Sequence, residues 1–230
     1  MEAIILAGGF GTRLRSVVPD LPKPMAPVGG RPFLEILLRQ LAQAGFQRVV
    51  LALGYKAETI QAYFGTHYAG MTLVYTVEDS PLGTGGAIRQ ALSLCQDDHV
   101  FIFNGDTYLA LEVGEVEACW QKLKAPIIVA RSVPDTARYG RIESSHNRFT
   151  GFSEKGTSGP GLINAGCYVF PPNLLDTFEP GSAFSLETDF LARAVHKQDF
   201  RVFVTDGHFI DIGVPEDYAR AQIELAGLAP

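Results

Sequence analysis

Three glycines and two cations lie close together near the start of the chain, in the segment LAGGFGTRLRSVVPDLPKPM. Gly8, Gly9 and Gly11 follow a short apolar run, so main-chain N–H groups in this segment can approach a phosphate closely. Arg13 can donate to two phosphate oxygens at once, and Lys23 adds a second positive charge. The spacing favours a phosphate-binding loop, although solvated loop charges are the ordinary alternative for such basic residues.

The segment is neither of the two common glycine loops. No Lys followed by Ser or Thr stands in the Walker arrangement, and Leu14 occupies the last glycine position of Gly-x-Gly-x-x-Gly, which disfavours a nicotinamide dehydrogenase. Prolines at 19, 22, 24 and 27 prevent a long helix and stiffen the segment instead. Lys23, between two of these prolines, can therefore be held in a fixed place near Arg13.

Two aspartates are candidate metal ligands. Asp106 follows the apolar strand VFIF at its carboxyl end, and Asp211 lies in the apolar context FIDIG, where an unpaired carboxylate is costly. Mg²⁺ typically takes one or two carboxylates and leaves its other positions to water and phosphate. The residues alone leave alternatives open: Asp206 could be the ligand, Asp211 could cap a turn, and Asp106 could be an ordinary loop residue.

A second glycine-rich turn, PLGTGGAIRQ, precedes a predicted helix. Its backbone groups at Gly83 and the hydroxyl of Thr84 could contact the base or ribose of a nucleotide, while a plain connection between two elements is the alternative.

The order of predicted elements indicates an α/β fold. Strand-like and helix-like runs alternate through residues 1–126, which predicts a parallel sheet with helices on both faces. From about residue 127 the strand-like runs follow one another closely, which predicts a strand-rich lobe. The predicted strands are 3–7, 48–55, 72–79, 99–106, 127–133, 139–144, 148–155, 162–170 and 200–207, and the predicted helices are 32–45, 57–64, 85–95, 186–196 and 215–226.

Composition limits the class of partner. The chain has 230 residues and a net charge of -6, which argues against a nucleic-acid partner because such binding needs basic surface. Three widely spaced cysteines suggest neither a disulfide framework nor a zinc site, which favours a cytoplasmic location. No apolar stretch is long enough to span a bilayer, so we expect no membrane partner.

Seven motifs in order resemble those of the sugar-1-phosphate nucleotidyltransferases: LAGGFGTRL with PKPM, EDSPLGTGGAIR, NGDT, YGRI, FSEKG, INAGCYVF and FIDIGVPEDY. The likeness is strongest to the branch that acts on D-glycero-D-manno-heptose 1-phosphate, followed by mannose-1-phosphate guanylyltransferases and short uridylyltransferases. It implies a Rossmann-like, mixed and mainly parallel sheet of the glycosyltransferase-A type in a single domain over residues 1–230. The nucleotide-binding half would span about 1–126, and the sugar-phosphate half with the C-terminal helices about 127–230.

The resemblance also implies roles for individual residues. Catalysis would involve Arg13, Lys23 and Asp106, with Mg²⁺ held by Asp106 and Asp211. The nucleotide-binding residues would be Leu6, Ala7, Gly8, Gly9, Gly11, Thr12, Arg13, Lys23, Glu78, Gly83 and Thr84. The sugar-phosphate-binding residues would be Gly140, Glu154, Lys155 and Asn164. Adjacent strand residues point to opposite faces, so Glu154 and Lys155 share the site only if a bulge intervenes.

The activity implied by the resemblance is nucleotidyl transfer from a triphosphate to a sugar 1-phosphate. Glu78 stands at a base-contacting position of the family, and a carboxylate can accept two N–H groups from guanine but only one from uracil, which favours GTP. The alternatives are a mannose-1-phosphate guanylyltransferase, a uridylyltransferase, or a non-catalytic module that binds nucleotide sugars. The product would serve polysaccharide biosynthesis, and a homo-oligomer is possible for such an enzyme.

Overall fold

The structure, a computed structural model, describes residues 1–9, 11–14, 16–153 and 158–228. Its strands in chain order are β1 (Glu2–Leu6), β2 (Pro27–Val28), β3 (Arg31–Pro32), β4 (Arg48–Leu53), β5 (His67–Tyr68), β6 (Met71–Val77), β7 (Val100–Asn104), β8 (Thr107–Leu109), β9 (Ile127–Val133), β10 (Arg141–Ser145), β11 (Arg148–Ser153), β12 (Gly161–Phe170), β13 (Arg201–Thr205) and β14 (Phe209–Asp211). The α-helices are α1 (Phe33–Gln43), α2 (Ala57–Phe64), α3 (Gly83–Leu92), α4 (Val113–Leu123), α5 (Ala192–Ala194) and α6 (Pro215–Glu224). Short 3₁₀ helices span Lys23–Met25 and Ala226–Leu228.

A ten-stranded mixed sheet carries the fold, in the order β10-β11-β13-β9-β12-β7-β1-β4-β6-β5. The expectation of parallel pairing holds for the four neighbouring strands β7, β1, β4 and β6, and β9 and β13 are also parallel. The other pairings of this sheet are antiparallel, and most involve strands of the second half. The strand-rich second half therefore extends the sheet of the first half.

Helices cover both faces of the sheet, as the alternating pattern predicts. Ile4 of β1 packs in a core cluster with Ile88 of α3, whereas Ile5 on the opposite face packs with residues of α1, α2 and α4 such as Leu38 and Trp120. Neighbouring strand residues point to opposite faces, so β1 is buried from both sides. The expected α/β class, with a mixed sheet flanked by helices, is confirmed.

Some elements differ from the sequence prediction. Helix α4 was not predicted, because its buried face is narrow, with Val116 and Trp120 as its buried residues, and because Gly114 lowers its helix propensity. The predicted helix 186–196 is a π-helical segment over Leu186–Leu191 that continues as α5. Pro32 precedes α1 and lies in β3 rather than starting the helix.

A two-stranded antiparallel ribbon of β8 and β14 lies outside the main sheet. Its register pairs Asp211 with Thr107, and the Ile212 N–H donates to the Asp106 carbonyl at 2.9 Å. The ribbon thus brings together two acids that are far apart in sequence. Within the described ranges, every helix is too short or too polar to cross a membrane.

Candidate active site

A first cavity of about 300 Å³ opens beyond the carboxyl ends of β1 and β7, where ligands bind in open α/β sheets. Its walls include most of the nucleotide-binding residues predicted from the sequence, namely Leu6, Ala7, Gly8, Gly9, Lys23, Glu78, Gly83 and Thr84. Gly11 and Thr12 are not part of these walls, and Arg13 lies in a second cavity instead.

Close packing explains two glycines of the first loop. A Cβ on Gly8 would stand 2.8 Å from Glu78 Oε1, which is closer than such contacts normally come, and 3.1 Å from the Gly54 nitrogen, which is a tight contact. Gly11 has a positive φ of 59°, and a Cβ there would stand 2.9 Å from the Lys23 Cβ. The loop therefore fits tightly against the Glu78 carboxylate on one side and the Lys23 segment on the other.

The second glycine turn is fixed by contacts within the protein. Gly83 has φ +68°, and a Cβ there would lie 2.6 Å from the Phe184 carbonyl oxygen. The Thr84 hydroxyl accepts a hydrogen bond from the Leu186 N–H at 3.0 Å. Glu78 Oε2 accepts from the Leu82 N–H at 2.8 Å, which fixes the carboxylate in the cavity wall. The turn thus docks onto the segment before the π-helix, a packing role that the sequence did not reveal.

Lys23 forms ion pairs with both predicted metal ligands. Its Nζ donates to Asp106 Oδ2 at 2.5 Å and lies 3.9 Å from Asp211 Oδ1. Partial burial and the neighbouring Asp106 carboxylate raise the pKa of Asp211, against the lowering effect of Lys23. In this structure the Lys23 ammonium is held by the two acids, and Arg13 is exposed in the wall of the second cavity. Their convergence on a polyphosphate stays a prediction.

The acid pair fits the oxygen-ligand chemistry of a divalent cation. Carboxylates of Asp106 and Asp211 converge on a single cationic nitrogen, and a Cβ on Gly213 would stand 2.8 Å from Asp211 Oδ1. The described residues contain no cluster of three or more His, Cys, Asp or Glu side chains that could hold a metal by themselves. Any ion here would therefore complete its coordination with water or substrate oxygens.

The structure brings Asp211, and not Asp206, next to Asp106. Asp206 is 88% exposed and pairs with Arg131 at 3.3 Å, so it lies on the surface and not with Asp106. Asp211 also caps a turn, since its Oδ1 accepts from the Gly213 N–H at 2.7 Å. Asp211 therefore both caps this turn and lies near Asp106.

A second cavity of about 640 Å³ adjoins the first, and the two share Asn104 and Asp106 in their walls. Two of the predicted sugar-phosphate residues, Gly140 and Asn164, line it. The Asn164 amide donates to Glu187 Oε1 at 2.8 Å and to the Tyr168 hydroxyl at 2.6 Å. The other two predicted residues, at positions 154 and 155, lie outside the described residues.

Several lining residues were missed by the sequence reasoning. Asn104 stands two positions before Asp106 and could have been found from the NGD motif. Arg138 directly precedes the YGRI motif, and its place beside that motif could have marked it as a lining residue. Glu187 lies in a helical pattern that gives no sign of a cavity, so its place depends on the tertiary structure.

Comparisons with known proteins agree with this site. The model of the nucleotidyl transferase family matches residues 2–227. The chain belongs to the nucleotidyl transferase family. A D-glycero-alpha-D-manno-heptose 1-phosphate guanylyltransferase of Aneurinibacillus thermoaerophilus is 41% identical to it over 98% of each chain. A mannose-1-phosphate guanylyltransferase of Mycobacterium tuberculosis is 34% identical over all of this chain and 66% of its own length.

Solved structures extend the likeness to three dimensions. This nucleotidyltransferase superposes on HddC from Yersinia pseudotuberculosis complexed with GMP-PN with a TM-score of 0.86 and 38% identity, over 96% of this chain and 97% of HddC. The fold is shared with a structure from Bacillus anthracis that is named a putative glucose-1-phosphate thymidylyltransferase. Its TM-score is 0.84 at 19% identity.

Proposed function

We propose that this nucleotidyltransferase transfers a guanylyl group from GTP to D-glycero-α-D-manno-heptose 1-phosphate, giving GDP-heptose and pyrophosphate. The observation that carries the proposal is the 41% identity to a heptose 1-phosphate guanylyltransferase over 98% of both chains. The complex of HddC with GMP-PN supports a guanine nucleotide as the substrate.

In the reaction, an oxygen of the sugar phosphate attacks the α-phosphorus of GTP. A new phosphorus–oxygen bond forms while the bond to the β-phosphate oxygen breaks, and its electron pair leaves with pyrophosphate. Both reactants are anions, so the site must align them and offset their repulsion. Two adjoining cavities with Asn104 and Asp106 in their common wall support such an arrangement.

GTP occupies the first cavity in this proposal. The backbone of Leu6, Ala7, Gly8, Gly9, Gly11 and Thr12 surrounds the phosphates, Glu78 accepts from the guanine, and Gly83 and Thr84 contact the base or ribose. Lys23 from the first cavity, and Arg13 from the wall of the adjoining second cavity, stabilise the charge that develops on the departing pyrophosphate. The position of Glu78 in the cavity wall, fixed by the Leu82 N–H, supports its role in base recognition.

Asp106 and Asp211 are the proposed Mg²⁺ ligands. When bound, Mg²⁺ would neutralise phosphate charge and lower the barrier to departure of pyrophosphate. The two carboxylates pair with the Lys23 ammonium, so this chain's own residues already neutralise part of the acid pair.

The sugar phosphate occupies the second cavity, with Gly140, Asn164, Glu154 and Lys155 as proposed contacts. The proposed division near residue 126 is supported by the walls: the first cavity uses residues up to Asp106, whereas the second mainly uses residues from Arg138 to Val214. The cytoplasmic location and the homo-oligomer remain predictions.

Pyrophosphate release over a matrix of nucleotides and sugar 1-phosphates tests the proposal. We expect GTP with D-glycero-α-D-manno-heptose 1-phosphate to give the highest kcat/KM among GTP, UTP, dTTP, CTP and ATP with heptose, mannose and glucose 1-phosphates. A preference for mannose 1-phosphate would favour the alternative suggested by the mycobacterial relative. Nucleotide binding without Mg²⁺-dependent turnover, measured against EDTA, would instead indicate a binding module.

A further inference from the structure

The second cavity has an unusual balance of charge for a site that takes a phosphate monoester. The charged side chains among its described lining residues are three acids and two arginines, namely Asp106, Glu187, Asp211, Arg13 and Arg138. Two of the acids pair with Lys23. A dianionic phosphate entering this cavity therefore needs cations in the cavity wall that offset these acids, in addition to the proposed contact with Lys155.

Arg138 lines the second cavity but not the first, and it lies in the connection between β9 and β10. Its guanidinium lines the second cavity, and its Nη2 donates to Asp217 Oδ2 at 2.6 Å. The side chain remains 57% exposed, whereas the Asp217 side chain is 5% exposed. The guanidinium has five N–H donors in a planar fork, and the bond from Nη2 leaves others to bind an anion.

The backbone around Arg138 is held by hydrogen bonds. The Asp135 carboxylate accepts from the Ala137 N–H at 3.1 Å and from the Gly159 N–H at 3.0 Å. The Tyr139 N–H donates to the Thr136 carbonyl at 2.9 Å, and the Arg138 guanidinium lies 5.8 Å from the centre of the Tyr139 ring. A cation on so constrained a loop can recognise one fixed position in the cavity.

Asp217 pairs with a second arginine, Arg220, as well as with Arg138. Its Oδ1 accepts from Arg220 Nη1 at 3.1 Å, so one buried carboxylate is shared by two guanidinium groups. The Arg138–Asp217 contact joins the cavity to α6, whereas Arg220 is not among the lining residues of the second cavity. Arg220 also pairs with Glu224, whose Oε1 accepts from its Nε at 3.0 Å, so the shared carboxylate is not the only partner of Arg220. Of the two arginines, Arg138 lines the second cavity.

We infer that Arg138 binds the phosphate group of the sugar 1-phosphate and that Asp217 is a positioning residue for its guanidinium. The inference rests on the proposed function and deepens it, since the ligand class is a phosphate monoester in the second cavity. An ordinary surface ion pair is the competing explanation, and Arg220 provides an internal comparison because it shares the same carboxylate.

The test measures KM separately for the sugar 1-phosphate and for GTP, together with calorimetric titration of the sugar 1-phosphate. The probe is the sugar 1-phosphate that the wild-type enzyme uses best. For Arg138→Ala we expect the KM of the sugar 1-phosphate to rise by about 10- to 100-fold, in line with the loss of a charged hydrogen bond. The KM of GTP should stay within about twofold. Free guanidinium added to Arg138→Ala should restore part of the lost affinity.

Two further variants separate binding from structure. Asp217→Asn should raise the KM of the sugar 1-phosphate by severalfold, because the guanidinium loses its charged partner, while Arg220→Ala should leave both KM values unchanged. Circular dichroism and thermal unfolding check that each variant folds. If Asp217→Asn does not fold, the comparison of Arg138→Ala with Arg220→Ala still decides the role of Arg138.

The inference is overturned if Arg138→Ala binds the sugar 1-phosphate as tightly as wild type, or if Arg220→Ala has the same effect as Arg138→Ala. Either result leaves the proposed function intact as long as wild type turns over. If wild type neither binds nor turns over any sugar 1-phosphate, the proposed function itself fails and this inference fails with it.

Discussion

The two cavities are built in different ways. The described residues that line the first cavity all fall between Leu6 and Asp106, and a Cβ on Gly8, Gly83 or Gly105 in its wall would stand within 2.8 Å of another atom. The second gathers side chains from segments between Arg13 and Val214, with Arg138, Asn164 and Glu187 on separate elements. The first cavity therefore depends on the absence of side chains, whereas the second depends on which side chains are present. Substitutions in the two should affect different substrates.

Lys23→Ala should have the largest effect, because Lys23 lines the first cavity and forms ion pairs with both acids. We expect kcat to fall by about 10²–10³ or more, as for the loss of a preorganised charge-stabilising donor. Steady-state turnover at saturating substrates measures it, with Lys122→Ala on α4 as the matched control. A wild-type rate in Lys23→Ala would remove the lysine from the mechanism.

Gly8→Ala tests whether the first cavity requires a residue without a side chain at position 8. The new Cβ would stand 2.8 Å from Glu78 Oε1, and such overpacking typically costs about 1–3 kcal/mol, so GTP binding should weaken while sugar-phosphate binding changes little. Calorimetric titration with GTP gives the measurement. Gly114→Ala, where a Cβ has nothing within 4 Å, is the control and should leave GTP affinity unchanged. Equal GTP affinities in Gly8→Ala and wild type would contradict this account of the cavity.

Glu2→Gln should weaken the fold without touching either cavity. Burial raises the pKa of Glu2, but hydrogen bonds from the Asp97 and Gln96 N–H groups and from Arg48 outweigh it, so the pKa lies below its ordinary value. Leaving these donors without a charged partner should cost about 1–3 kcal/mol of unfolding free energy at pH 7.

The pH dependence of this loss has a definite sign. A carboxyl group with a lowered folded-state pKa stabilises the protein above its unfolded pKa, and that stabilisation is lost as the pH falls through the folded value. Urea unfolding of wild type and Glu2→Gln should therefore differ most near pH 7 and converge below about pH 4. A difference that stays constant down to pH 3 would show that the charge of Glu2 is not responsible.

Glu187→Gln should give the smallest effect and the sharpest contrast with Gly8→Ala. Glu187 accepts a hydrogen bond from the Asn164 amide at 2.8 Å in the second cavity. Replacing the carboxylate by the neutral amide of glutamine should weaken that hydrogen bond by about 0.5–1.5 kcal/mol. We expect a few-fold change in the KM of the sugar 1-phosphate and none in that of GTP. Glu179→Gln, at an exposed position, is the control. A larger change for GTP than for the sugar would contradict the separation of the cavities.

The same contrast explains what could be predicted from the sequence. The glycine loop and Asp106 follow strongly apolar strands, and Lys23 lies between prolines, so local patterns made them candidates. Their roles came from the resemblance to a known family, because the residues alone left ordinary loop positions open. The choice between Asp206 and Asp211 depends on the pairing of β14 with β8, which no local pattern specifies. The contact of Gly83 with Phe184 and the entry of Glu187 into the cavity likewise follow from packing between distant segments.

The ribbon of β8 and β14 has a consequence for how the enzyme matures. Asp106 reaches its partner acid only after residue 211 has left the ribosome and β14 has paired with β8. A nascent chain that ends within the first half contains β1, β4, β6 and β7, yet it cannot bring the two carboxylates together. Truncated translation products therefore lack the two-carboxylate site, even where they already contain every residue that lines the first cavity.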